Sequence, residues 1–179
     1  MIEKLNHEEL PFMELDLEPE LHLVQVRPDQ ADRMFELVQK DREYLGKWLP
    51  WVEHTNSVED SLAYINLMLA SRRDGKEYGY SIELYGEMVG HASLMHLLDD
   101  KEPEIGYWIA SSVSGQGITT KVAERLTRLG IDTLGLDHII IRARPENIAS
   151  NRIAEKVGYT FRENVPDGED TLNVWEYRK

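Results

Sequence analysis

The chain has no cysteine. That absence removes disulfides, thiolate metal sites and a thiol nucleophile together. No apolar run approaches the roughly 18 residues of a membrane span. The first residues, Met1-Ile2-Glu3-Lys4-Leu5, have no basic start followed by an apolar stretch, so no signal peptide is expected. Positive charge is scarce: 20 Lys and Arg stand against 33 Asp and Glu, for a formal charge of −13. A chain so acidic is a poor holder of nucleic-acid phosphates. There is no internal repeat, low-complexity tract or linker. Together these absences lead us to expect a cytoplasmic protein with neither a membrane nor a nucleic-acid partner.

What remains is 179 residues, 41% of them apolar, enough for one domain with its own core. The acidic excess favours solubility and the approach of a cationic substrate. Residues 1–19, acidic and carrying Pro11 and Pro19, read as a lead-in, and 20–179 as a single domain.

The apolar periodicity gives the element order. Leu21 to Val26 reads as a strand. Asp29 is placed to cap a helix to about Gln39, with Ala31, Met34, Phe35 and Val38 inward. A short helix holds Tyr44 and Leu45 and stops near Pro50. Ser57 and Asp60 have the spacing of a capping box. The helix that follows turns Leu62, Ile65, Leu69 and Ala70 inward and ends at Gly75. Tyr78 to Tyr85 and Met88 to Leu98 form a hairpin about Gly86-Glu87. Glu104 to Ala110 is the next strand. A glycine turn leads to a helix with Ile118, Val122, Leu126 and Leu129 on one face. A buried strand at 138–143, a helix at 148–157 closed by Gly158, and strands at 159–164 and 172–177 complete the chain. Strands and helices do not alternate regularly, so a mixed α/β (α+β) sheet is expected rather than a doubly wound one.

Ser114-Gly115-Gln116-Gly117-Ile118-Thr119-Thr120 joins a strand to a helix start. Glycine lets the backbone turn sharply, and the first helical N–H groups have no partner within the helix. A pyrophosphate suits such a site. A Walker A loop is excluded by the glycine spacing. A dinucleotide fingerprint fails because Thr120 stands where a third glycine belongs and Asp137 precedes the next strand.

Three segments in order carry a resemblance: Glu104-Ile105-Gly106-Tyr107-Trp108-Ile109, the Gly115 to Thr120 turn, and Asn147-Ile148-Ala149-Ser150-Asn151 running on to Glu155-Lys156-Val157-Gly158-Tyr159. They resemble the GNAT superfamily of N-acetyltransferases, most of all its RimJ/RimL branch, whose members acetylate the N-termini of ribosomal proteins. The segment Trp48-Leu49-Pro50-Trp51 is similar to that branch too. The resemblance implies a mostly antiparallel sheet with helices on both faces, splayed at a bulge where the cofactor enters. It implies acetyl-CoA as co-substrate. The pyrophosphate would lie on Gly115, Gln116, Gly117, Ile118, Thr119 and Thr120. The pantetheine arm would pair with the backbone of Trp108, Ile109 and Ala110 and contact Asn147. Ser114 and Thr119 depart from the family's usual Gln/Arg and Gly/Ala at the ends of that loop, which removes one side-chain contact and leaves the backbone donors.

Acetyl transfer to an amine needs a base for the amine proton and an acid for the departing thiolate. Glu104, heading the cofactor strand, is the candidate base. Ser150 is the candidate acid, with helix capping as its competing role. Trp48 and Trp51 are candidates for an apolar wall around the substrate, and His96 for a residue facing the cleft. Tyr107 and Tyr159 read as core. One or more of Lys121, Arg125 and Arg128 is placed to meet CoA phosphates, with solvated surface as the usual reading of such a run. His22, His54, His91, His96 and His138 show no metal-ligand spacing, and no metal is expected. The leading function is acetyl transfer to a primary amine, with a cationic protein N-terminus first among substrates. A polyamine, aminoglycoside or amino acid, or a weakly catalytic acyl-CoA-binding module, are the alternatives. Assembly as a homodimer stays open.

Overall fold

The computed structural model describes residues 12–179. Alternating apolar residues at Leu15, Leu21 and Leu23, and at Tyr78, Tyr80 and Ile82, turn one side of each strand into the core. Among the described residues eight strands form one sheet: β1 (Glu14–Glu18), β2 (Leu21–Gln25), β3 (Tyr78–Leu84), β4 (Glu87–Met95), β5 (Glu104–Ile109), β6 (His138–Ala143), β7 (Thr160–Asp167) and β8 (Asp170–Arg178). Their spatial order is β1-β2-β3-β4-β5-β6-β8-β7. Every neighbouring pair is antiparallel except β5 and β6.

Among the described residues five α-helices cover it: α1 (Ala31–Lys40), α2 (Arg42–Gly46), α3 (Val58–Arg73), α4 (Ile118–Arg128) and α5 (Ile148–Val157). On one face, α4 lays Ile118, Val122 and Leu126 over Ile82, Leu94, Ile105 and Ile139, and α5 adds Ala154. On the other, α1 and α3 bring Met34, Val38, Ile65 and Met68 together with Met88 and Trp108. The expected two-sided layering is what forms.

Several details differ from the reading of the sequence. Residues 14–18 are a strand, not a lead-in; Leu15 is buried against the core and β1 pairs with β2. Residues 1–11 of that lead-in lie outside the described residues. Asp29 does not cap α1. It sits in a 3-10 turn and accepts from Arg27, while the Gln30 side chain takes the Arg27 backbone N–H. Helix α3 does open with the Ser57–Asp60 capping box. Its buried line is Ser61, Ile65, Met68 and Arg72, which reaches the Phe12 carbonyl at 2.8 Å; Leu62 and Leu69 pack half-buried against the core as expected, and Ala70 is exposed. The β3–β4 turn is Tyr85-Gly86, both at positive φ (53° and 79°). Strand β4 stops at Met95, where His96 turns to φ 62°.

The feature that makes a site is the poor union of β5 and β6. Their ladder holds one register pair, Glu104 with Ile140, supported by the Ile140 N–H on the Pro103 carbonyl at 2.9 Å. Beyond it the strands part. The expected bulge is not in β5, whose ladder with β4 runs unbroken from Gly90–Ile109 to Met95–Glu104. The irregularity lies in β4 against β3, where Val89 is skipped between Gly90 and Met88. There β4 presses so closely on β5 that a side chain at Gly90 would strike the Trp108 carbonyl.

Candidate active site

The gap between β5 and β6 is a cavity of about 660 Å³. Its walls are β5 from Glu104 to Ile109, the glycine turn, the end of β6 and the first turns of α5, with Tyr44, Trp48 and Leu49 on the far side.

At one end of the cavity, Gly115 and Gly117 both take left-handed backbone (φ 78° and 77°), which L side chains rarely adopt. Gly117 is the N-cap of α4, and no side chain caps the helix. The N–H groups of its first turn are therefore left for a ligand. Gly115, Gly117, Ile118, Thr119 and Thr120 line the cavity; Gln116 does not. Tyr44 donates to Ser114 at 3.2 Å and ties the turn to α2. The cations at the cavity are Arg142, Arg144, Arg152 and Lys156, from β6 and the elements after it. None of Lys121, Arg125 and Arg128, which the sequence offered for the phosphates or as solvated surface, lines the cavity. Instead Lys121 pairs with Glu18 on β1 and Arg128 with Glu124 one helical turn back.

Along the cavity, β5 offers backbone as well as side chains. The Ala110 N–H donates to Val89 at 2.8 Å, and the Trp108 carbonyl faces Gly90. Ladder alternation then turns the backbone of Ile105, Tyr107 and Ile109 away from β4, and past the Glu104–Ile140 rung Tyr107 and Ile109 lie on the open edge. Of the backbone expected to meet a pantetheine arm, Ile109 faces the cleft. Trp108 and Ala110 are turned to β4, and Ala110 lies off the cavity wall.

At the other end sits Glu104, 9% exposed. Arg142 on β6 holds it through Nη2 and Nε, at 2.7 and 3.0 Å, and both bonds fall on Oε2. This clasp closes the one rung where β5 and β6 meet. Nearby, the Asn147 side chain accepts the Ser150 N–H at 3.2 Å, so Asn147 is the cap of α5 and Ser150 is not. The Ser150 hydroxyl lies 2.9 Å from the Tyr107 hydroxyl. Burial pushes the Tyr107 phenol up to about 12, so it stays protonated at neutral pH. Asn151 fixes this corner. Its amide donates to the Arg144 and Asn147 carbonyls and accepts from Asn173 and from the Trp175 indole.

Trp48 lines the cavity. Trp51 does not; it stacks on Tyr64 and tilts against Trp108, centroids 6.5 and 5.9 Å apart. His96 is not in the cleft either. Its ring bonds Asp99 at 2.8 Å, because β4 ends before it. Reading His91 and His96 as one strand misplaced it. Arg142 and Tyr107 are the residues that sequence reasoning missed. The available signal was alternation: Tyr107 shares a face with Ile105 and Ile109, toward α5.

Two groups of acids and histidine lie within ligand distance of one another among the described residues. Glu14, Asp16 and His22 sit on the exposed β1–β2 edge. In the second group, Glu102 and Glu176 already hold the Arg162 guanidinium and His138 bonds Glu102; Arg162 brings the Glu102 carboxyl down to about 2.

The chain belongs to the acetyltransferase (GNAT) domain family, whose model matches residues 20–160, and it is an N-acetyltransferase. It is 30% identical over 151 residues to the protein YdaF of Bacillus subtilis (strain 168), covering 80% of this chain and 79% of that one. It is 27% identical over 164 residues to the ribosomal-protein-serine acetyltransferase of Escherichia coli (strain K12), covering 87% and 90%. The fold superposes on the ribosomal L7/L12 alpha-N-protein acetyltransferase RimL in complex with coenzyme A, TM-score 0.85 at 22% identity, over 92% of this chain and 97% of that one. Among the described residues no helix is long and apolar enough to cross a membrane.

Proposed function

We propose that this enzyme moves the acetyl group of acetyl-CoA onto the α-amine of a protein N-terminus by direct attack. The observation that carries the reading is the cavity itself: free helix N–H groups at one end, open β5 backbone along it, and Glu104 with the Tyr107–Ser150 pair at the other. The Gly115–Thr120 turn receives the pyrophosphate through backbone donors, with Arg152 and Lys156 near for further phosphate charge. The open edge at Tyr107 and Ile109 pairs with the amide-bearing arm as an added strand would. Glu104 accepts the amine proton through Oε1, since Arg142 occupies Oε2. Ser150 donates a proton to sulfur as the carbon–sulfur bond breaks. Asn147 supports that step by capping α5.

The α-amine is favoured on three grounds. The Escherichia coli relative carries ribosomal-protein-serine acetyltransferase as its name. An α-amine with a pKa near about 8 is partly neutral at pH 7, whereas a lysine near about 10.4 is not, so a single carboxylate suffices. The net charge of −13 draws a positively charged chain. Trp48 forms one wall for the first residue of that chain.

The test is thiol release from acetyl-CoA across an amine panel: peptides with free N-termini, the same peptides blocked, and polyamines. Release with free peptides alone supports the proposal. Preference for polyamines makes this a small-amine enzyme. Binding without release makes it an acyl-CoA-binding module.

A further inference from the structure

Ser150 is poorly suited to act as a proton donor by itself. An isolated hydroxyl rotates freely, and its hydrogen is as ready to bond the nearest carbonyl as the reacting atom. The structure supplies what would fix it. Asn147, not Ser150, caps α5, so the Ser150 oxygen has no capping duty. The Tyr107 hydroxyl stands 2.9 Å from it, carried on β5 and facing α5. The two residues are 43 positions apart and line the same cavity.

We propose that Tyr107 is a positioning residue: its hydroxyl donates to Ser150 Oγ, leaving the Ser150 hydrogen to point at the sulfur of the thioester. A phenol is the stronger acid and the weaker acceptor of the pair, so the donor direction runs from Tyr107 to Ser150. Burial keeps the phenol protonated, so that direction holds across the working pH range. When the tetrahedral intermediate collapses, the carbon–sulfur electron pair goes to sulfur and sulfur takes the Ser150 hydrogen. As the Ser150 hydrogen leaves, the Tyr107 hydrogen shifts across the 2.9 Å bond to Ser150 Oγ, so the negative charge rests on the phenolic oxygen until solvent returns a proton. Glu104 carries the proton from the amine, so the count balances. The second shared anchor is Asn151, which holds the α5 start against Trp175 and Asn173 and so fixes the serine relative to β5.

The inference rests on acetyl transfer as proposed above, and a double-mutant cycle tests it. Tyr107→Phe removes only the hydroxyl. The expected result is a fall in kcat of about tenfold, the order of one directing hydrogen bond, with KM for acetyl-CoA within twofold of wild type. In a Ser150→Ala background the same change should cost under twofold, because there is no longer a serine to direct. Losses that multiply in the double variant, or a Tyr107→Phe protein with unchanged kcat, would overturn it. If Tyr107→Phe fails to fold, 3-fluorotyrosine at position 107 keeps the hydroxyl and makes it a stronger donor. It should then alter kcat but not KM, and an unmoved kcat overturns the inference. Wild-type protein that releases no thiol with any amine overturns the acetyl-transfer reading and this inference together. Wild-type release with an unmoved Tyr107 variant overturns the inference alone.

Discussion

Arg142 places both of its hydrogen bonds on one oxygen of Glu104, at 2.7 and 3.0 Å, and so decides which oxygen is left to receive a proton. Glu104→Gln keeps the shape and removes the basicity. We expect kcat to fall roughly 10²–10⁴-fold with acetyl-CoA affinity nearly intact. Stopped assays at neutral pH with chemistry shown to limit the rate provide the check. A loss below threefold would remove Glu104 as the main base.

Removing the clasp is a separate prediction. Arg142→Met should lower kcat as well, since Glu104 is then free to turn from the cleft. It should also loosen the sole β5–β6 rung, read as a lower Tm. An Arg142→Met enzyme with wild-type kcat would show that the orientation of Glu104 does not matter.

Gly117 separates backbone geometry from charge. Its φ of 77° strains any other residue, and a Cβ there meets nothing within 4 Å. Gly117→Ala should therefore lose stability but keep measurable CoA affinity. Gly117→Asp should weaken acetyl-CoA at least tenfold beyond the alanine variant, because a carboxylate then faces the pyrophosphate. Calorimetric titration of both folded variants decides it, and equal affinities would move the phosphates elsewhere.

His91 gives a pH dependence of stability. It is buried without a partner for Nε2, and burial brings it down from 6.5 to about 4. Between those values the unfolded chain binds a proton that the folded chain refuses. Stability is thus fully present above pH 6.5 and falls as the pH drops towards 4, by up to about 3 kcal/mol. His91→Phe should flatten the slope of Tm against pH across that window. Parallel slopes for the two proteins would assign the acid sensitivity to other groups.

The parts of this molecule legible in its sequence are those fixed by neighbours along the chain. The Ser57–Asp60 box needs three residues of spacing, and the Ile118, Val122, Leu126 stripe needs only a helical period. Strand β1 was legible too, since Glu14-Leu15-Asp16-Leu17-Glu18 alternates, but its charge disguised it as a tail. The site was legible as far as backbone makes it: the glycine turn depends on residue type, and it stands where expected. Its chemistry was not. Glu104 meets Arg142, and Tyr107 meets Ser150, through strand register and a helix start that no local pattern encodes. His96 was misplaced for the converse reason, because one residue at positive φ ended a strand that its sequence seemed to continue.

The central claim is tested most directly by one comparison. The enzyme is given acetyl-CoA with a basic peptide bearing a free N-terminus and an internal lysine, and with the same peptide N-terminally blocked. Thiol release is followed and the product is mapped by fragment mass spectrometry. The account predicts one acetyl group, on the α-amine of the free peptide, and none on the blocked one. Equal acetylation of the blocked peptide, with the group on lysine, would contradict it.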